Sequence, residues 1–191
     1  MTKGRMEAFS DGVFAIIITI MVLELKVPDG EYLSSLLPLA PVFLSYVVSF
    51  LYVGIYWNNH HHLLQAAQNV NGRILWANLH LLFWLSLVPF VTGWMGRNDF
   101  AAWPVCLYGV NLLMSGFAYR LLVRSLVGHH GRESLVAKAI GKDLKGNISL
   151  AIYVLAIPLA FVNSWLACLM YVVVAMIWFV PDTRIEKSFP V

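Results

Sequence analysis

Six histidines are the side chains in this 191-residue sequence best suited to metal or acid–base chemistry, and three are consecutive, His60-His61-His62. Successive residues of a helix point about 100° apart, so these three cannot all reach one ion. A helical ligand pair needs i, i+3 or i, i+4 spacing, which neither this cluster nor His129-His130 has. His80 falls in an apolar stretch and can approach the cluster from another helix, so a metal site stays open but unsupported. Histidines at a membrane interface, or hydrogen-bonded between helices, are the commoner case. Cys106 and Cys168 both lie in apolar runs, without disulfide or metal spacing. No Ser-His-Asp or Cys-His set and no phosphate-binding glycine loop is present, so neither an enzyme, a cofactor nor a bound metal is expected.

A second group of residues is more pointed. The stretch RMEAFSDGVFAIIITIMVLELKV, residues 5–27, places Arg5, Ser10 and Asp11 near the start of an otherwise apolar helix. Ionisable groups within a membrane span are costly and mark function or a buried network. Projected at about 100° per residue, Gly12, Ile16, Thr19, Ile20 and Leu23 share one face, with Phe9 on the same side. Ser10 and Asp11 fall on other faces, toward neighbouring helices. A stripe of Ile and Leu is, by itself, more often a packing or lipid face than a pore lining. Arg5, a turn or more from Asp11, is within reach of a neighbouring subunit or another helix.

The elements that must hold these residues are membrane helices. The chain is 60% hydrophobic and 12% charged, with a mean hydropathy of +0.73, well outside soluble norms. About 20 apolar residues cross the hydrocarbon core as helix. Six segments approach that length: about 5–26, 38–60, 73–96, 100–124, 146–162 and 164–181, with Asn163-Ser164 as the turn between the last two. The first is not a cleaved signal, because Asp11 precedes its apolar block and no small-residue cleavage site follows. The polar connection over 128–145 reads as a cytoplasmic loop carrying a short amphipathic helix. With both termini inside, eleven of the 13 Lys and Arg residues fall on the cytoplasmic side, leaving only Lys26 and Arg97 outside. Trp57, Trp76, Trp94, Trp103 and Trp178 stand near span ends. A net charge of +3, gathered at span ends, carries no nucleic-acid footprint. The expectation is a single all-α integral membrane domain of six transmembrane helices.

Arg5-x-x-x-Phe9-Ser10-Asp11, followed by Gly-Val-Phe-Ala-Ile-Ile-Ile-Thr, resembles the signature of the bacterial branch of the transmembrane protein 175 family of potassium channels. Trp57-x-x-His60-His61, Leu75-Trp76-Ala77-Asn78, Pro89-Phe90 and the terminal Pro181-Asp182-x-Arg184-Ile185-Glu186 look like further family features. The resemblance implies a six-helix repeat with helix 1 lining a central pore, no re-entrant pore loop, and a homotetramer of one-repeat chains, a form that points to a bacterial inner membrane. TVGYG is absent, and Tyr52-Val53-Gly54-Ile55-Tyr56 is only a superficial echo, so no backbone-carbonyl filter is available.

By the same resemblance, Ile16 is the narrowest ring, Ile20 and Leu23 are apolar layers after it, and Thr19 is the pore threonine, with K⁺ passing transiently near Ile16 and Thr19. An apolar constriction that strips water favours K⁺ and Cs⁺ over Na⁺. Arg5, Phe9, Ser10 and Asp11 then form, with Trp57, His60 or His61, and Asn78 or His80, a structural network holding helix 1 against helices 2 and 3. Asp11 as a direct cation site is the sharper alternative. A passive cation channel is the leading function. A secondary transporter and a non-conducting membrane assembly protein are the alternatives.

Overall fold

The computed structural model describes residues 2–131, 133–140 and 143–179, with backbone alone for 138–140. Arg132, Lys142 and the stretch 181–187, which enter the charge count and the terminal motif, lie outside the described residues, as does the Lys138 side chain. The described residues form α-helices α1 (Lys3–Leu23), α2 (Ala40–Ala66), α3 (Gly72–Ser86), α4 (Val88–Arg97), α5 (Ala102–His130), α6 (Leu135–Ile140), α7 (Leu144–Leu159) and α8 (Ser164–Phe179). A 3₁₀ helix, Leu33–Leu39, leads into α2.

Four helical stretches are long and apolar enough to cross a membrane: 3–23, 33–66, 72–97 and 102–130. The protein is therefore a multi-pass, all-helical membrane protein. α7 and α8 are apolar but shorter, 16 residues each. The third stretch is interrupted at Leu87. Pro89 has no N–H to give Leu85 O, and Leu87 N donates there and to Trp84 O instead, so the backbone stays bonded across the kink. α5 runs on to His130, past the 124 at which the sequence suggests its span ends.

Side-chain contacts sort the helix ends. Glu7 meets His61, Asn71 meets His129 and Arg120 meets Asn147, which gathers the starts of α1, α3 and α7 with the ends of α2 and α5. At the other end Arg97 pairs with Glu24, and Phe100 and Trp103 pack on Trp165 and Phe161. Arg5, Arg73, Arg120, Arg124 and Lys145 thus share one end, and Lys26 and Arg97 the other.

The interior has two apolar cores. One joins Phe14, Ile17 and Met21 of α1 to α2, α3 and the second half of α5. The other joins the first half of α5 to α2, α4, α7 and α8. Lipid is as apolar as these side chains, so close packing and interhelical hydrogen bonds carry the association. Close approach shows at Gly109, where an added Cβ would lie 2.0 Å from the Tyr171 hydroxyl. That hydroxyl donates to Val105 O at 3.2 Å, and Tyr52 OH donates to Tyr171 O at 2.5 Å. Thr92 donates to Ser49 at 2.7 Å, and Ser49 bonds Tyr108 at 3.0 Å, tying α4, α2 and α5.

Candidate functional site

α1 is apolar almost all round, so its two sides are told apart by what covers them. Met6, Ser10, Phe14, Ile17 and Met21, three or four residues apart, are buried. Phe9, Gly12, Ile16, Thr19, Ile20 and Leu23 are exposed on the surface of the single chain, Ile16 at 59% and Leu23 at 75%. The stripe that projection groups on one face is therefore the side of α1 that no other helix among the described residues covers.

Thr19 adds a directional detail. Its hydroxyl donates to Ala15 O at 2.8 Å. The single hydroxyl hydrogen is thereby used within the helix, and the oxygen presents lone pairs to whatever faces it. On a face otherwise made of Ile and Leu, that oxygen is the electronegative group.

The buried side carries the polar network. Asn78 Nδ2 donates to Ser10 Oγ at 3.0 Å, and Ser10 Oγ donates to Met6 O at 2.8 Å. His60 Nε2 lies 2.7 Å from Asn78 Oδ1. An amide oxygen only accepts, so His60 must carry its proton on Nε2. The result is a one-way chain from α2 through α3 into α1. His60 Nδ1 is left buried without a partner among the described residues, and the ring leans on Phe14 with centroids 5.6 Å apart.

Asp11, one residue on, is bonded from α2. Trp57 Nε1 donates to Asp11 Oδ1 at 3.0 Å. The Trp57 ring stacks on His61 at 6.1 Å, and His61 Nδ1 lies 3.6 Å from Glu7 Oε1. Glu7 was not among the residues singled out from sequence, although it stands one turn before Asp11 and only the fold brings it to His61.

Three of the residues assigned to this network from sequence stand apart from it: Phe9, exposed on the uncovered side of α1, His80 and Arg5. His80 follows Asn78 by two residues, about 200° round the helix, and its Nε2 accepts from Trp84 Nε1 at 2.9 Å on its own helix. Arg5 is exposed, with no hydrogen bond or ion pair to any described residue. The consecutive histidines diverge as helical geometry requires, and among the described residues no group of three or more His, Cys, Asp and Glu can hold a metal ion.

Residues 5–89 match the family described as "Endosomal/lysosomal potassium channel TMEM175". A potassium channel of Chryseobacterium sp. (strain P1-3) is 57% identical over 188 residues, 98% of each chain. One from Chamaesiphon minutus is 31% identical, covering 86% of this chain and 87% of its own. The crystal structure of a lysosomal potassium-selective channel TMEM175 homolog from Chamaesiphon minutus matches with a TM-score of 0.80. It is 30% identical, over 93% of this chain and 96% of that one. With near full-length likeness in sequence and in fold, this chain belongs to the TMEM175 family.

Proposed function

We propose that the chain is a passive cation channel that prefers K⁺ and Cs⁺ over Na⁺. It works as a homotetramer in the bacterial inner membrane, with both termini cytoplasmic and α1 of each subunit around a central pore. The observation that carries this reading is the two-sidedness of α1: one side is locked by the Ser10 and Asp11 bonds, while Ile16, Thr19, Ile20 and Leu23 are left uncovered. The names of the relatives, potassium channels and a potassium-selective homolog, support the ion.

In this reading each chain is one domain that crosses six times, α7 and α8 being the last two crossings. Their turn packs beside the α4–α5 turn through Phe161 and Trp165, and Trp178 Nε1 returns to Ser149 Oγ at 2.8 Å. The hairpin therefore runs from one end of the bundle to the other. The 128–145 connection lies in the cytoplasm.

Four Ile16 side chains around the axis constrict the pore, closing it by dewetting or forcing an ion to shed water. Ile20 and Leu23 add apolar layers. Four Thr19 oxygens, each with its hydrogen directed to Ala15 O, offer lone pairs to a partly dehydrated cation. K⁺ holds its water less tightly than Na⁺, so the dehydration barrier selects it. Arg5, Phe9, Ser10, Asp11, Trp57, His60, His61 and Asn78 serve position rather than ion contact, Arg5 through a neighbouring subunit.

The deciding experiment is flux from liposomes loaded with K⁺ or with Na⁺, for the native chain and Ile16→Asn side by side. K⁺ flux well above Na⁺, with the gap narrowed by the substitution, is the expected outcome. Absence of flux from either well-folded protein overturns the channel reading.

A further inference from the structure

The second half of α5 carries Arg120 and Arg124 one helical turn apart, at the end of the bundle that gathers the basic residues. Arg120 is half-buried and donates to Asn147 Oδ1 at 2.5 Å, a neutral partner; Arg124 is exposed. Neither pairs with a carboxylate among the described residues. Both border a hollow of about 450 Å³, lined also by Val123, Val127, Gly128 and Asp143. Among the described residues that line it the one acidic group is already engaged: Asp143 Oδ1 accepts from Gly146 N at 3.0 Å as the N-cap of α7, against the positive end of that helix.

We propose that this hollow seats the phosphate headgroup of an anionic phospholipid from the adjoining leaflet. Two guanidinium groups with no ion pair among the described residues suit a phosphate, which they grip in a planar fork. Basic pockets between membrane helices take anionic headgroups for this reason. Val123 and Val127 give the floor an apolar part that a lipid's glycerol and first methylenes cover and a free phosphate leaves bare. The neighbouring internal cavity, bordered by the same Arg120 and Asp143, holds only about 50 Å³, room for a few waters and not for an acyl chain. The lipid therefore lies along α5 from outside, and its phosphate stiffens the Arg120–Asn147 tie between α5 and α7. The site goes beyond the channel reading and holds whether or not the chain conducts.

Retention of phosphatidylglycerol against phosphatidylcholine by the purified chain in detergent, read by native mass spectrometry, tests the site. Phosphatidylglycerol should bind about tenfold more tightly than phosphatidylcholine, and Arg120→Gln with Arg124→Gln should abolish the difference. Gly128→Trp fills the hollow but keeps both cations. Nothing lies within 4 Å of a Cβ there, and helices favour the change from glycine, so this variant separates loss of the site from loss of folding. It too should lose phosphatidylglycerol. Arg73→Gln, an exposed charge at the same end, should keep it. Equal retention of the two lipids, or an equal loss in Arg73→Gln, overturns the site. Competition by glycerol phosphate at the same concentration as the lipid would assign the hollow to a soluble phosphate compound and overturn the lipid.

Discussion

Trp57 holds Asp11 from α2 by its indole N–H at 3.0 Å, while the preceding residue, Ser10, is held from α3 by Asn78. Two successive residues of α1, about 100° apart, are thus gripped by two different helices. One bond alone would leave α1 free to rotate about it. Two in different directions fix its rotation, and with it the direction in which Ile16, Thr19, Ile20 and Leu23 point.

Trp57→Phe keeps the ring against His61 and removes only the N–H. The Asp11 carboxylate then loses a charge-assisted bond at a partly exposed site, for which a cost of about 1–2 kcal/mol is expected. A lower midpoint in detergent-solubilised thermal unfolding, together with a reduced K⁺-to-Na⁺ flux ratio, checks it. An unchanged ratio would mean that the grip on Asp11 does not set the geometry of the face.

Asn78→Leu strands the buried His60 Nε2–H donor and removes the bond that Ser10 Oγ accepts, while Ser10 still donates to Met6 O, and should destabilise by about 1–3 kcal/mol. Ser10→Ala strands only Asn78 Nδ2 and should cost about 1–2 kcal/mol. Because both changes cut the same chain, the double variant should cost less than the sum. Thermal midpoints of the four proteins in the cycle measure the shortfall.

Thr19→Val removes a hydroxyl whose one bond among the described residues is to its own helix. Stability should move by less than about 0.5 kcal/mol. Conduction should fall several-fold in K⁺, since the lone-pair oxygens are gone while the size is kept. Liposome flux beside an unfolding curve separates the two effects, and equal flux would remove Thr19 from the ion's path.

Gly109→Ala drives a Cβ into the Tyr171 hydroxyl. Tyr171 must shift and loosen its bond to Val105 O, with α8 moving off α5, at an expected cost of about 1–3 kcal/mol. A midpoint unchanged from the native protein would show that α5 and α8 have room to separate there.

Orientation is open to a direct check. Cysteine placed at Arg97 should react with a membrane-impermeant thiol reagent in intact cells, and cysteine at Arg73 only after permeabilisation. Cys106 and Cys168, both half-buried, provide the background. The reverse pattern would invert the topology.

The sequence by itself determined the class and the faces. Its apolar runs demand membrane helices, and the 3.6-residue period assigns Ile16, Thr19, Ile20 and Leu23 to one side of α1 and Ser10 to another, since both follow from geometry internal to a single helix. The charge pattern separates the two ends, because Lys and Arg avoid the hydrocarbon wherever the helices lie. Which of His60, His61 and His80 meets Asn78 was decided only by the tertiary structure, as were the lone position of Arg5 and the pairing of Glu7 with His61. Those depend on how far each helix is rotated against its neighbours. That rotation is set by packing between residues distant in the chain, Phe14 on His60 and Tyr171 on Gly109 among them, and no local period encodes it.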